Sequence, residues 1–286
     1  MPELPEVETI RRDLSRVILQ KKIINIVISK PKLIKNTSTD YFKKNLINQK
    51  ITAINRRGKL LYFSLSNHKF LLIHLKMTGQ LIYQDRHKIV AGGHNFPHIG
   101  PELPNKYSHI YFKFTDQSTL YFNDQRQFGY LQIVDKQQLN DTLQNFGIEP
   151  LCPDFTLSNF SQLFINKTVS LKNVLLNQRL ISGIGNIYAD EICFQASIKP
   201  TRRVSQLSPT DIKKIFKSTQ KIITAAIKHR GTTFSNYRDG HGHTGNYTAL
   251  LQVYGRQNQP CYRCHTKIKK IKHGGRGTQF CPMCQK

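Results

Sequence analysis

The chain has no tryptophan and only three methionines, and none of its apolar runs approaches the ~20 residues of a membrane-spanning helix. The missing runs exclude a helical membrane protein. The missing tryptophan, beside abundant Lys, Asn and Ile, reflects AT-biased coding and says nothing about function. An export signal is lacking too, since Glu3, Glu6 and Glu8 stand where its basic region and apolar core would be. A soluble cytoplasmic protein is the expectation. Acidic residues are scarce, 17 against 43 Lys and Arg, for a formal net charge of +26. After Asp239 there is none, while Arg256, Arg263, Lys267, Lys269, Lys270, Lys272, Arg276 and Lys286 follow. Basic charge clustered at one end concentrates polyanions through counterion release, and nucleic acid fits it best. Charge alone does not separate DNA from RNA, or an enzyme from a coating protein.

Cysteine is also sparse, with six residues in 286. Cys152 and Cys193 read as ordinary buried thiols. The other four, Cys261, Cys264, Cys281 and Cys284, form two Cys-x2-Cys pairs separated by 16 residues, the spacing of a four-thiolate zinc site. Each pair sets two sulfurs on one tight knuckle, and two knuckles complete a tetrahedron. Four protein ligands leave no position for water, so one zinc ion here is structural. A disulfide framework is disfavoured in a chain with no export signal.

What the sequence does contain begins at its first residues. An initiator methionine followed by proline is usually trimmed, which would leave Pro2 at the head of the chain. A free α-amine titrates near pH ~7.7–8.0, so a useful neutral fraction exists at cytoplasmic pH. A secondary amine that attacks an aldehyde carbon yields a cationic iminium, an electron sink. Glu3 is adjacent and close enough to exchange a proton with a reacting sugar oxygen. Many proteins begin Met-Pro, so this dipeptide needs support from the rest of the chain.

Length suits two domains, and 38 % hydrophobic residues suffice for ordinary cores. Pro5 suits the first turn of a helix, and Val7, Ile10, Leu14, Val17 and Ile18 recur at helical spacing. From Ile23 to Val134 short β-rich runs are expected at 23–29, 60–65, 69–75, 80–83, 108–114, 118–122 and 130–134, with a helix near Tyr41 to Asn48. The stretch Asp85 to Asn105, rich in Gly, His and Pro, reads as a long surface loop. Helical patterns follow at about 136–145, 156–165, 170–181, 187–196 and 209–229, then a loop at 232–248, then two strands closing on the knuckles. The expected class is α+β: a β-sandwich over 1–134 led by a helix, a linker at 135–150, a helical domain at 151–248 and a zinc finger at 249–286. No internal repeat is present.

Several short motifs could carry chemistry. Ile181-Ser182-Gly183-Ile184-Gly185-Asn186 joins two helical patterns; its glycines allow backbone to approach a phosphate, and Asn186 could cap the second helix. Such a turn is more often plain helix packing, although Lys172 on the preceding helix favours a phosphate clamp. Lys59 falls where a strand begins, after Arg56-Arg57-Gly58. His74 through Gly79 ends an apolar strand with Met77 at a turn, and Asp124 through Gly129 presents Arg126 and Phe128 between two strands. Met and Phe on loop tips are unusual, and such side chains can wedge into a base stack and replace an extruded nucleotide.

Pro2-Glu3-Leu4-Pro5-Glu6-Val7-Glu8-Thr9, Arg56-Arg57-Gly58-Lys59, His74-Leu75-Lys76-Met77-Thr78-Gly79, Gly183-Ile184-Gly185-Asn186-Ile187-Tyr188-Ala189-Asp190-Glu191, Leu251-Gln252-Val253-Tyr254-Gly255-Arg256 and the four-cysteine finger occur in order. Together, from Pro2 to Lys286, they resemble the formamidopyrimidine-DNA glycosylases, bifunctional base-excision glycosylases and apurinic-site lyases. The related endonuclease VIII branch typically begins Pro-Glu-Gly-Pro-Glu, so Leu4 favours the oxidised-purine branch. The resemblance implies a β-sandwich, a helix-two-turns-helix domain and a zinc finger, acting on double-stranded DNA as a monomer in a bacterial-type cytoplasm.

The resemblance also implies residue roles. Pro2 would attack C1′ of the damaged nucleotide, and Glu3 would act as acid/base in opening the sugar ring. Lys59 would contact phosphate near the lesion and assist proton transfer. Met77, Arg126 and Phe128 would fill the void left by the flipped base, Arg126 facing the orphaned cytosine. Lys172, Asn186 and Arg276 would grip phosphates, Arg276 also serving δ-elimination. His74 would contact DNA, and Glu6 would line the lesion pocket. Two positions depart from the family pattern: Gln127 replaces a second arginine, and Tyr107 stands where a DNA-contacting histidine is often found. The loop at 232–248 corresponds to the family's cap over the extruded base. Alternatives are a non-catalytic zinc-ribbon nucleic-acid binder, an oxidised-pyrimidine glycosylase, and a lyase that excises bases poorly.

Overall fold

The computed structural model describes residues 1–93, 102–232 and 247–286. The chain divides into two compact units, Met1–Gln144 with Arg230–Asn246, and Asn145–His229 with Tyr247–Lys286. Most of the sequence-expected loop at 232–248, and residues 94–101 of the expected loop at 85–105, lie outside the described residues.

In the first unit α1, Leu4–Ser15, buries Leu4, Val7, Ile10 and Leu14, one stripe at helical spacing. That stripe packs into a core shared with two antiparallel sheets. The five-stranded sheet runs β1 (Ile23–Ile28), β7 (Ser108–Phe114), β8 (Thr119–Asp124), β5 (Gly79–Gln84), β6 (Ile89–Gly93). The four-stranded sheet runs β2 (Ile51–Arg57), β3 (Leu60–Leu65), β4 (Phe70–His74), β9 (Tyr130–Val134). Alternate residues of each sheet face inward: Leu61 and Phe63 of β3, Leu71 and Ile73 of β4, Ile110, Phe112 and Phe114 of β7, Leu120 and Phe122 of β8. The expected β-sandwich is borne out. Tyr121, on the opposite face of β8, joins a small second cluster with Ile82 and Ala91.

Two strands escape the sequence pattern. β2 carries Asn and Arg over its second half and reads as polar. β6 falls inside the expected 85–105 loop because its glycines look like turn residues. Those glycines are packing residues. A Cβ on Gly92 would stand 2.4 Å from the Ile10 side chain, and one on Gly93 2.4 Å from the Gly79 carbonyl oxygen. Helix α2 covers Thr39–Leu46, capped by Ser38, and α3 covers Lys136–Gln144 within the expected linker.

The second unit holds α4 (Leu157–Gln162), α5 (Leu171–Leu176), α6 (Asn186–Gln195), α7 (Pro209–Lys228) and the hairpin β10 (Lys269–His273) to β11 (Arg276–Phe280). Thr156, Ser170 and Ser208 accept N-cap hydrogen bonds at α4, α5 and α7. The helix expected at 170–181 stops at Leu176. The Gln178 side chain then donates to the Leu176 and Ile184 carbonyls and accepts from Gly183 N–H, tying the two turns before α6. Helix α6 is buried from Tyr188 to Phe194, which its weak sequence periodicity foreshadows. Among the described residues no helix is long and apolar enough to cross a membrane.

Candidate functional site

Chemistry gathers at the start of α1. Pro2 and Glu3 are buried, Glu3 to 3 % exposure, while Met1 ahead of them is exposed. Glu3 N–H donates to Glu6 Oε2 at 2.9 Å, closing the first turn of the helix with its own acid. Glu6 Oε1 accepts from Thr232 N–H at 2.8 Å and from the Thr232 hydroxyl at 3.1 Å. Gly231 permits this approach: its φ is +79°, and a Cβ there would lie 2.5 Å from Glu6 Oε1. The α-amine heading the chain is pulled below its ordinary value of 8.0, chiefly by burial; Glu3 and Glu6 oppose the shift, and Lys59 and Arg126 add to it. The sequence-expected residues Glu3, Glu6, Lys59 and Arg126 therefore share one electrostatic field with the chain head.

Lys59 is 5 % exposed and follows Gly58, whose φ of +55° makes the turn between β2 and β3. That turn is held from α1. Arg56 lies 3.2 Å from Glu8 through Nε and donates to the Gly58 carbonyl at 3.0 Å. Glu8 also accepts from Arg11 at 2.8 Å and Arg12 at 2.7 Å. Burial pushes the Glu8 carboxyl up, but hydrogen bonds from Arg11 and Arg12 and the charge of Arg56 outweigh it and hold it at about 2, against 4.5. A carboxyl depressed in the folded state adds stability that is present above pH 4.5 and lost as pH falls toward 2. Discounted for the solvent around Arg11 and Arg12, it is worth about 1–2 kcal/mol. We expect Glu8→Gln to lower the unfolding free energy at pH 7 by that amount and to flatten the acid limb. Matching limbs for parent and variant in unfolding scans against pH would contradict this.

Two loop tips complete this unit's site. Met77, 39 % exposed, crowns the β4–β5 connection, and Arg126 and Phe128, the latter 53 % exposed, crown β8–β9. The Arg126 guanidinium lies over the Phe128 ring at 4.7 Å. Both loops are anchored on the buried Asp124, which accepts from the Thr78 hydroxyl, from Arg126 N–H at 3.2 Å and from Gly129 N–H at 2.7 Å. His74 accepts from Lys76 N–H through Nδ1 at 3.0 Å, so its Nε2 carries the proton, and its ring stacks on Tyr130. Burial, with the charges of Lys76 and Lys59, holds His74 down to about 3, a neutral imidazole. Tyr107 accepts Asp124 N–H on its carbonyl at 3.0 Å, which places it at the base of the second loop.

In the second unit one expectation fails. Lys172, expected to grip a phosphate, is 0 % exposed. Its ammonium is committed to Asp190 Oδ1 at 2.7 Å, the Thr278 hydroxyl at 2.9 Å and the Gly277 carbonyl at 3.1 Å. One ion pair and two hydrogen bonds occupy the buried ammonium, which presents nothing to a phosphate outside. Burial pushes the Asp190 carboxyl up to about 7, with Lys172 and the N–H of Gln279 pulling against it. Asn186 differs as well: Gly185 is the N-cap of α6, and Asn186 opens the helix and donates from Nδ2 to the Gly277 carbonyl at 3.0 Å. Its Oδ1 is buried with no hydrogen-bond partner among the described residues. Arg276 is exposed at the start of β11, after a Gly274-Gly275 turn with φ of +55° and +75°.

The four finger cysteines bring their sulfurs within 4.8 Å of one another. Cys261 to Cys284 is 3.8 Å and Cys264 to Cys281 is 3.4 Å. A tetrahedral zinc thiolate with ~2.3 Å bonds has edges of about 3.8 Å, so the donor set fits zinc. Arg263 N–H and Cys284 N–H each point at Cys261 and Cys281 sulfurs respectively, as they would to thiolates.

Sequence reasoning missed Glu8, Thr78 and Asp124 as holders of the site, and Asp190 and Glu191 as holders of the finger. Glu191 accepts from three successive N–H groups, Gln252, Val253 and Tyr254, at 2.9 Å. An Asp two residues ahead of a loop N–H is a recognisable turn signal, so Asp124 could have been found. Thr78, Asp190 and Glu191 pair with residues distant in sequence, as Glu8 does with Arg56.

Three family models match in order: the formamidopyrimidine-DNA glycosylase N-terminal domain over residues 1–131, the formamidopyrimidine-DNA glycosylase H2TH domain over 146–238, and the zinc finger found in FPG and IleRS over 258–286. The formamidopyrimidine-DNA glycosylase of Listeria monocytogenes is 40 % identical over 288 residues, covering all of both chains, and that of Streptococcus mutans 39 % over 290, again covering all of both. Among solved structures, a Lactococcus lactis FPG mutant complexed with Fapy-dG-containing DNA superposes with TM-score 0.88 at 35 % identity and full coverage of both chains. The Lactococcus lactis Fpg complexed with abasic-site DNA gives 0.88 at 35 % over 99 % of each. Three domain matches in order, relatives alignable end to end and a fold shared throughout make this chain a member of the formamidopyrimidine-DNA glycosylase family.

Proposed function

We propose that this chain excises oxidised purines, 8-oxoguanine and formamidopyrimidines, from duplex DNA and cleaves the resulting abasic strand, with Pro2 as nucleophile. The observation that carries the reading is the convergence of the buried Pro2 and Glu3 with Glu6, Lys59 and Arg126, all of whose charges act on the amine at the chain head. Loss of the exposed Met1 leaves the Pro2 imino nitrogen in that field. Its attack on C1′ releases the base and gives an iminium; the 2′ proton then becomes acidic, and β- and δ-elimination remove the sugar. Glu3 exchanges the proton of the ring oxygen, and Lys59 holds the adjacent phosphate. His74 offers a neutral Nε2–H donor to the backbone. Met77, Arg126 and Phe128 occupy the emptied stack, offsetting an extrusion cost of a few kcal/mol. Glu6 walls the pocket, and Tyr107 supports strand contacts beside it. Asn186 and Arg276 serve phosphates; Lys172 serves them only by fixing the hairpin that bears Arg276. One zinc ion holds the finger, and the enzyme works as a monomer on the nucleoid in the cytoplasm.

The complexes of the Lactococcus relatives with Fapy-dG and abasic DNA support the substrate class. Another neighbour, from the same organism, holds an oxidised-pyrimidine-containing DNA at TM-score 0.86, so oxidised pyrimidine is a second substrate reading. Borohydride reduction on duplexes bearing one lesion each tests both. A covalent adduct through Pro2 is expected with purine lesions and abasic sites, weakened in Pro2→Gly; a zinc-ribbon binder forms none. Metal analysis of the same preparation should return one zinc per chain.

A further inference from the structure

Exposed loop tips do not fix their own positions. Met77 and Phe128 are exposed, and within the second tip the described contact is Arg126 over Phe128. A wedge that must displace stacked bases is worth most when its geometry is set beforehand, since ordering on insertion subtracts from binding. Whatever positions these side chains therefore acts through the backbone at the base of the two loops.

The base of both loops is one residue. We propose that Asp124, with Thr78, is the positioning pair for the void-filling side chains: its carboxylate locks the Met77 loop to the Arg126–Phe128 loop. This rests on the assignment of Met77, Arg126 and Phe128 to the emptied stack. Asp124 closes β8 opposite Gly79, the first residue of β5, so both loops leave the sheet at the same rung. It is 0 % exposed; one carboxylate oxygen joins the two loops and the other closes the second. Oδ1 takes the Thr78 hydroxyl and Arg126 N–H at 3.2 Å; Oδ2 takes Gly129 N–H at 2.7 Å. The Thr78 oxygen itself accepts Arg126 N–H at 2.9 Å, so one hydroxyl bridges the loops in both directions. The main chain of Asp124 is fixed too, by Tyr107 through its N–H and by His109 Nε2, 2.8 Å from its carbonyl oxygen.

The surrounding backbone is shaped to this centre. Lys76 and Gln127, one beside each tip, hold left-handed φ values of +48° and +55°. Such non-glycine positions persist where neighbouring bonds enforce them. A Cβ on Gly129 would lie 2.7 Å from the Phe122 ring, 3.0 Å from Asp124 Oδ2 and 3.0 Å from the His74 carbonyl oxygen. Room for the carboxylate is thus bought by a glycine. Asparagine fits less well: turned one way its NH2 meets Gly129 N–H, and turned the other it deprives Arg126 N–H of Oδ1 and forces the Thr78 hydroxyl to accept rather than donate.

The two reactions should respond differently. Excising a base needs the stack breached and held open, whereas an abasic site has no base to extrude. We test Thr78→Val, an isostere lacking the hydroxyl, and Asp124→Asn, with Thr78→Ser as the conservative rescue and Met77→Ala and Phe128→Ala as tip controls. Single-turnover excision of 8-oxoguanine opposite cytosine should fall about 10–100-fold in Asp124→Asn and Thr78→Val, the size of a lost charge-assisted hydrogen bond. Abasic-strand cleavage should stay within about twofold of the parent, and Thr78→Ser should restore excision. Preference for cytosine over adenine opposite the lesion should relax together with excision, a change that a general loss of stability does not produce. Parallel loss of both activities, or full excision by Thr78→Val while the tip variants are impaired, would overturn the positioning role. Tip variants as active as the parent would overturn the stack assignment and the proposal with it. Should Asp124→Asn not fold, Thr78→Val and its serine rescue decide the matter alone.

Discussion

Replacing Lys172 by methionine is expected to cost about 3–5 kcal/mol of stability, the penalty of stranding a buried partner charge. Methionine fills the volume of the stem, so the loss is electrostatic rather than a cavity. Asp190, itself 0 % exposed, would keep Gln279 N–H at 2.9 Å and lose its cation. The pH dependence gives the sign. Burial raises the Asp190 carboxyl to about 7 even with Lys172 present, and removing the ammonium raises it further. A carboxyl raised in the folded state binds a proton on folding, so stability lost to its ionisation returns as pH drops below the folded value. The Lys172→Met deficit should therefore be largest above pH 8 and shrink toward pH 5. Combining it with Asp190→Leu should recover most of the loss, because an apolar pair of like volume replaces a buried ion pair at little cost. Denaturant titrations at several pH values measure all three. A deficit under about 1 kcal/mol, or one insensitive to pH, would mean that solvent reaches the pair.

Lys172 also marks the limit of what the sequence discloses. Its partner hydroxyl, Thr278, is 106 residues away, and no local pattern separates a lysine on a helix face toward solvent from one beneath a hairpin. The same holds for Glu8 and Arg56, 48 residues apart. By contrast, the zinc site was legible because each ligand pair is local and its spacing states the knuckle. Helices α1 and α7 were legible because one face of each is apolar at helical period, and β-strands such as β3 and β4 because they alternate. Strands β2 and β6 were not. Their pairing comes from neighbours in the sheet, and the glycines of β6 are set by the approach of Ile10 and Gly79, which composition reads as loop. Motif resemblance supplied Pro2, Glu3, Lys59 and the loop tips; it could not show how they are held.

The chain head and the Lys59 turn are held largely by one helix, while Asp124 and Thr78 hold the loop tips. Four acids of the first thirteen residues precede or lie on α1, and each has a separate task. Glu6 ties Thr232 to the chain head, Glu8 grips Arg56 behind the Lys59 turn, and Asp13 pairs with Arg230. Glu3 is buried as well, and its carboxylate takes the Glu6 N–H in the capping box that opens α1. In a chain so poor in acid, this concentration in a buried helix is a design of position: each carboxylate fixes a part of the site that local sequence leaves loose.

Glu3→Gln should therefore act on the reaction and leave the fold nearly intact. Loss of a positioned acid/base is expected to slow base excision about 10²–10⁴-fold, since ring opening would proceed without a proton donor. Glutamine keeps the size of the side chain and leaves the Glu3 backbone N–H bonded to Glu6 Oε2. A second consequence follows from the electrostatics. Glu3 raises the Met1 amine more than Glu6 does, so a Pro2 amine freed beside the same carboxylate should fall when Glu3 is neutralised. Imine formation needs the neutral amine, so the rising limb of the pH profile should move to lower pH in the variant even as the plateau drops. Borohydride trapping on abasic DNA, where the base is already gone, isolates that limb from the excision step. The two changes have opposite signs at mildly acidic pH: trapping is expected to gain relative to its own plateau while excision is lost. An unchanged limb in Glu3→Gln would place the carboxylate too far from the chain head to act on it, and excision within about tenfold of the parent would remove Glu3 as the acid/base.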